Sequence, residues 1–334
     1  MAALCCSSIG MVFAADITVN TPADQSDSPA GPEVSLREAV RDAVAGDRVV
    51  FDATVFADPA PVISLTSEII VDQQLVIDAG DLAGKVVVSG GGTSRLFSIS
   101  DTGNLTLNGL VLTDGGGAGA TQNGDGGAVY NDGTLSITEC TLRGSIAGSG
   151  GAIFNRGSLT RTLEISNSTI SGNTATSGSG GGIYNDGALT VAQSTLAGNT
   201  ASASGGAIYN LKTLTLTQST LAGNVAPLGG GVGVFDGSRT SVLNSIVAGN
   251  LTAPGGTDTD IGFNGSPPPA FNFTLTEPNL IGSNHSVSGL FPEGPLVGTP
   301  AAPLLAELTP LANHGGTTET MALIPGSPAI DAGS

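Results

Sequence analysis

Acids and bases recur at one place in a repeating string, and their types could do chemistry. Asp132, Arg156 and Asp186 each follow the asparagine that closes a near-copy of GGAIYN, and Lys212 lies just past a fourth copy. Carboxylates holding Ca²⁺, beside a basic residue that removes a proton next to a sugar carboxylate, are the parts of a polysaccharide lyase. The same residues also fit a plain strip of exposed ion pairs, each contributing roughly 0 to 1 kcal/mol.

Two positions before that strip come rings. Tyr130, Phe154, Tyr184 and Tyr209, with Phe235 aligned by letter match, use five of the thirteen aromatic residues. If Val129, Ile153, Ile183 and Ile208 point inward, period two turns the rings outward, where they could stack on a polysaccharide or on a glycan of a host or neighbour cell surface. Stacked on one another, the same rings would simply stabilise the fold. Asp258 and Asp260 in GGTDTDIG could hold Ca²⁺ through carboxylate and carbonyl oxygens, or form a surface loop. His285 and His314 both lie outside the repeats, which excludes a Ser-His-Asp or histidine-zinc site made within the repeats alone.

The elements that position these residues follow from the period. The hexapeptide closes at Asn131, Asn155, Asn185, Asn210 and, by letter match, Asp236, in steps of 24, 30, 25 and 26 residues. A second string keeps time with it: ECTLRGS, NSTISGN, QSTLAGN twice, and NSIVAGN. Periods of 20 to 50 residues mark a solenoid, because each unit leaves a face that only its neighbour can bury. Within a unit the alternation has period two, as in TLTLT at 213–217 and ALTVA at 188–192.

Three short strands per unit of about 25 residues predict one triangular coil of a right-handed parallel β-helix, an all-β fold. A propeller blade needs some 40 residues and four antiparallel strands. The asparagine files at the coil corners read as ladders, each amide bonding to the next coil. The long step between Asn155 and Asn185 places an insertion at one corner, either a specificity loop or a solvated bulge. SLREAVRDAVAG at 35–46 predicts a short N-terminal capping helix, with Ser35 and Glu38 at capping-box spacing and Leu36, Val40, Ala43 and Val44 on one apolar face.

Composition agrees. Hydrophobic content of 40% with no Trp makes a core of Val, Ile, Leu and Ala, and 51 Gly supply turns. Twenty-eight acids against ten bases give a net charge of −18, which argues against nucleic acid or any polyanion bound by charge alone. Cys140 stands in the slot held by Ser168, Ser194 and Ser219 and reads as a small packing residue.

The chain divides into a signal-peptide-like leader (1–15), an N-terminal cap segment (16–61), a β-helix (62–250, with a first strand near residue 48) and a loop-rich β segment (251–334). No run of 18 apolar residues is present to span a membrane as a helix.

Three stretches carry a resemblance. SLREAVRDAVAGDRVVFD resembles the SLREA-type N-terminal segment of bacterial secreted β-helix proteins, with Val34 where a cysteine usually stands. The GGAIYN and STLAGN strings resemble the repeats of polymorphic outer-membrane proteins. NLIG at 279–282, PLVG at 295–298 and LANHGGTTETMALIPGSPAIDAG at 311–333 resemble the choice-of-anchor Q type of surface protein, with His314 in place of an expected Asn. The resemblance implies export and attachment to a cell surface through a segment outside this chain, which is then truncated. It carries no activity, since β-helices serve lyases, hydrolases and passive stalks alike. Two functions stay open: an extracellular stalk or adhesin-like module that binds glycan, and a Ca²⁺-dependent lyase of the pectate type acting on uronate polymers. The repeats lack the R-x-P-x-x-R and Asp-His motifs of pectate lyases.

Overall fold

The computed structural model describes residues 15–29, 31–120, 123–157, 161–252, 259–264, 272–275, 278–283, 296–299 and 301–332. The leader lies outside that set except for Ala15, as do Asp258, His285 and the middle of the insertion, 158–160.

Alternating side chains with positive-φ corners between them wind the chain into a parallel β-solenoid. A representative coil runs Ile183–Asn185, Ala188–Ala192, Thr195–Ala197, Thr200–Ala201. Among the described residues, stacking its four strands on those of other coils makes an eight-stranded, a ten-stranded, a nine-stranded and a three-stranded sheet, called here the aromatic, long, threonine and short sheets. The fourth strand was not expected. It is two residues long, as in Thr174–Ala175, too short to show alternation in the sequence.

Registry holds without slip through the repeats. Leu135, Leu163, Leu189 and Leu214 form one file of the long sheet, and Ile137, Ile165, Val191 and Leu216 another. All are essentially inaccessible, and burying each such side chain stabilises by roughly 1.5 to 3 kcal/mol.

The corner between the long and threonine sheets is backbone-strained. Glu139, Asn167, Gln193, Gln218 and Asn244 all take φ between 47° and 52°, a region costly for side chains with a Cβ unless the surroundings fix it. What fixes it is a serine file. Ser194 Oγ accepts from the Ser168 amide at 3.1 Å and donates to the Ala192 carbonyl at 2.7 Å, and Ser168 and Ser219 repeat the pattern. Cys140 holds the next slot as expected, its sulfur accepting from Leu110 N at 3.4 Å. Full burial pushes its thiol up to about 11.

Both asparagine ladders are present. Asn131, Asn155 and Asn185 each donate from Nδ2 to the next Oδ1 up to Asn210, at 2.7 to 2.8 Å. Asn210 then donates to Thr240 Oγ1 at 3.0 Å, so Asp236 is not the end of the file. The second ladder runs Asn173, Asn199, Asn224, Asn250 at 2.8 to 2.9 Å and ends on Asp260 Oδ1 at 2.7 Å.

The helix Leu36–Asp42 forms the expected capping box and packs Leu36, Ala39 and Val40 onto the first coils. Val44 is 60% exposed, because the helix stops at the Ala43 C-cap and the chain turns Val44 outward; Ala39 takes its place in the apolar face. Strands extend beyond 62–250 at both ends, from Asp16–Val19 to Leu280–Ile281.

The C-terminal segment does something unforeseen. Residues 304–323 run back along the outside of the threonine sheet, where Thr169 Oγ1 donates to the Glu319 carbonyl at 2.6 Å and Thr318 Oγ1 to the Asn167 carbonyl at 3.2 Å. Beneath this strap the outward positions are small and covered: Ala197, Ala222 and Ala248 are at most 6% exposed. His314 sits in the turn of the strap, where Asn313 Oδ1 accepts from Gly315 N at 2.7 Å.

Candidate functional site

The five coils from Val129–Asn131 to Val232–Phe235 each enter the aromatic sheet through a glycine with φ between 60° and 72°: Gly126, Gly150, Gly180, Gly205, Gly229. That conformation sets the register of everything after it. A Cβ at Gly180 would lie 2.4 Å from the Ile183 carbonyl oxygen, so glycine is required there.

Counting from these glycines puts Tyr130, Phe154, Tyr184 and Tyr209 in one outward file and Gly233 opposite Tyr209. Phe235 is therefore outside the file, two residues past Gly233 on the strand Val232–Phe235 and exposed; the letter match GGVGVFD had misplaced it because it aligned the wrong pair of the three glycines at 229–231. The four rings point away from the core and stack on each other. Tyr130 and Phe154 are 5.5 Å apart and 10° from parallel, Phe154 and Tyr184 4.5 Å and 7°, Tyr184 and Tyr209 5.5 Å and 50°. The faces of Tyr130, Phe154 and Tyr184 are thus turned to one another, with Tyr209 tilted against the end of the stack, while Phe154 and Tyr184 stay half-buried. Burial raises the phenol pKa of Tyr130 and of Tyr184.

At the next corner the charged residues come together as a strip. Arg156 Nη1 lies 3.6 Å from Asp132 Oδ2 and Lys212 Nζ 4.0 Å from Asp186 Oδ1. Arg161, just after the middle of the insertion, also reaches this corner: it donates from Nη1 to the Asp132 carbonyl at 2.9 Å and approaches the Asp132 and Asp101 carboxylates at 3.8 Å. Sequence reasoning saw the insertion but missed Arg161 as a member of the strip, since a bulge gives no register.

Asp132 and Asp186 are two coils apart, roughly 10 Å along the axis, with Arg156 in the coil between them. Among the described residues no three His, Cys, Asp or Glu side chains converge. Of the acids expected in the GGTDTDIG loop, Asp260 is fully buried and its Oδ1 terminates the second asparagine ladder.

A second cluster was missed altogether. Arg95, in a stretch that reads in sequence only as a strand, is 0% exposed and pairs with Glu68 at 2.6 Å. Its other donors reach the carbonyls of Gly117, Asp125 and Gly126, and its guanidinium covers the Tyr130 ring, 5.2 Å from the centroid. Arg37 of the cap helix holds the Glu68 loop by donating to the carbonyls of Ser67 and Glu68 at 2.6 and 2.9 Å. A groove of about 490 Å³ opens beside it, lined by Thr66, Glu68, Ile70, Thr93 and Gly119 among others. The ion pair is thus the base on which the aromatic stack begins.

Residues 167–186 and 193–211 match the Chlamydia polymorphic membrane protein repeat, covering two consecutive coils. No curated protein sequence matches the chain significantly. Among solved structures, the PL6 family alginate lyase AlyGC is similar at 15% identity and a TM-score of 0.40, over 78% of this chain and 39% of that one. An arginine-to-alanine variant of that enzyme is similar at 16% identity and a TM-score of 0.35, over 85% and 40%. The chain spans about two fifths of the length of these structures.

Proposed function

We propose that this chain is a cell-surface β-helical rod, a stalk or adhesin-like module that holds a glycan-contacting face away from the membrane. The observation that carries it is the unbroken register from coil to coil. Ten parallel strands in the long sheet, at roughly 4.8 Å each, make a rod on the order of 40 Å long. Buried amide ladders at two corners and a serine file at a third bind every repeat to its neighbours. That construction resists bending and gives length for few residue types, which suits a spacer. The match to repeats of a polymorphic membrane protein supports placement at the surface, and the aromatic edges beside a charged strip support contact with saccharide.

Labelling intact cells with a membrane-impermeant amine reagent tests the placement. Lys85 and Lys212 should label before lysis. Labelling only after lysis refutes surface display.

A second reading, a Ca²⁺-dependent lyase acting on uronate polymers, is favoured by the gathering of Arg156, Lys212, Asp132 and Asp186 on one corner. Absorbance of unsaturated product, followed with Ca²⁺ and with chelator, decides it. Calcium-dependent turnover abolished in Arg156→Ala and Lys212→Ala would establish the lyase; turnover unchanged in both variants would remove these residues from the site.

A further inference from the structure

We infer that the groove at the N-terminal end of the ring file is a subsite for an uncharged saccharide. The inference rests on reading this face as a glycan contact, whose ligand class it narrows, and is independent of surface display.

The first observation is the floor. Ile70, Ser98, Tyr130 and Phe154 are register partners in consecutive coils, so Ile70 opens the outward file that the rings continue. Tyr130 is shut in, but Ile70 is 52% exposed and lines the groove of about 490 Å³. That volume falls in the range of small-molecule sites. Covering an open aliphatic side chain is favourable, and the C–H face of a sugar ring can do it.

The second observation is the bracing of the walls. Glu68, itself buried, accepts from Ala120 N and from Arg95 Nη1, both at 2.6 Å, which ties the wall at 66–70 to the wall at 118–120. Arg37 holds the first wall from behind through the Ser67 and Glu68 carbonyls, and Asp24 accepts from Thr66 N at 2.8 Å. A Cβ at Gly119 would lie 2.2 Å from Glu68 Oε2, so the second wall comes this close only as glycine. All these residues lie outside the repeating strings. A groove braced by charge-assisted bonds is rigid before a ligand arrives, which lowers the cost of binding.

The third observation is charge. In a chain of net charge −18 the groove is balanced, because Glu68 pairs with Arg95 at 2.6 Å and Asp24 with Arg37 at 2.7 Å. Both guanidiniums are turned to those carboxylates and to backbone carbonyls, so neither offers its fork to an anionic sugar. The lining offers hydroxyls instead. Thr93 Oγ1 reaches the Gly90 carbonyl only at 3.4 Å, too long to hold it against a ligand, while Thr66 Oγ1 donates to Asp24 at 2.7 Å and keeps lone pairs to accept. Hydroxyls above an aliphatic floor, without net charge, fit a neutral sugar better than a uronate or a basic peptide.

The test is titration of the full chain with short fluorescent cello-, malto-, manno- and N-acetylchito-oligosaccharides, with oligogalacturonate and oligomannuronate alongside. At least one neutral series should bind, with the same affinity at low and high salt, since no ion pair is made or broken. Ile70→Ser should weaken it about tenfold through the lost floor, and Thr93→Val, which keeps the shape and removes the hydroxyl, about threefold to tenfold. Both positions are exposed, so melting temperatures should match wild type. Bound ligand should slow hydrogen exchange over 66–70 and 118–120. No neutral binding, or tighter binding of the uronates than of every neutral series, overturns the inference. So does neutral binding that Ile70→Ser leaves at wild-type affinity, and in that case the glycan reading stands without this groove. Intact-cell labelling is indifferent to all of these results, so the readings fail separately.

Discussion

Replacing Asn185 by Ala should destabilise the rod far more than its small volume change suggests. The side-chain amide donates to Asn210 Oδ1 at 2.8 Å, to the Thr213 carbonyl at 3.0 Å and to the Gly187 carbonyl at 3.2 Å. Its Oδ1 accepts from Asn155 Nδ2 at 2.7 Å and from Gly187 N at 3.2 Å. Truncation leaves Asn155 Nδ2 buried with no acceptor among the described residues, and Gly187 N loses its side-chain partner. Each buried group left unpaired costs about 1 to 3 kcal/mol. Partial relaxation brings the expected loss to about 3 to 5 kcal/mol, at the diagnostic end for a single substitution. Thr190→Ala, on the exposed outer side of the long sheet, is the control and should stay within about 0.5 kcal/mol. Urea unfolding followed by circular dichroism gives the size of the effect, and hydrogen exchange gives its place. Because repeats couple mainly to their neighbours, protection should fall most in the coils holding Asn155, Asn185 and Asn210. A loss below about 1 kcal/mol, or exchange spread evenly along the rod, refutes the ladder as a principal restraint.

Four further outcomes follow from the packing. Ala222→Arg, under the strap, should displace residues 304–323, seen as faster proteolysis there with the coil circular dichroism unchanged; an unaltered cleavage pattern refutes the covering role. Glu68→Gln should cost about 3 to 5 kcal/mol by removing the carboxylate that pairs with the buried Arg95 guanidinium, read as a drop in urea midpoint. Cys140 should resist thiol reagents until the protein unfolds, its thiol being buried and raised to about 11, and Cys140→Ser should stay folded because serine fills that slot in neighbouring coils; rapid labelling of native protein contradicts this. For Asp24, burial tends to raise the carboxyl pKa, but Arg37 and Thr66 outweigh it and hold the pKa below 3.8. A lowered folded pKa means the stabilisation is present above the unfolded value and lost as pH falls through the folded one, so exchange protection over 36–42, taken relative to the unfolded chain at the same pH, should fall at acid pH below the ordinary aspartate range and not between about pH 5 and 8.

Much of this architecture was legible in the sequence because a coil writes its corners in letters. Each entry glycine, each closing asparagine and the serine after each strained corner recurs where the stacking interaction recurs, so the period carries both fold and ladders. Letters fail where backbone geometry and letter match part company. Three glycines at 229–231 allow two alignments, and only the positive φ of Gly229 decides that Gly233, not Phe235, continues the ring file. The same limit hid Arg161, which follows an insertion and so has no counterpart in the other repeats, and the pairing of Glu68 with Arg95, 27 residues apart in coils whose sequences do not repeat.

The strap shows a subtler loss. In STLAGN the alanine reads as filler, one more small residue of a repeat. In the fold it is the floor of a channel: Ala197 and Ala222 lie beneath residues 304–323, with Ala248 in the same file, whereas Arg143 stands exposed at the corresponding place in an earlier coil. Side-chain size along that file is therefore set by what crosses it from 100 or so residues away, and no local pattern could report that. The strap leaves the aromatic face open, as it does the outer side of the long sheet. Under the proposed reading, the unstrapped file beside Phe154, Tyr184, Arg156 and Lys212 is where the module meets saccharide.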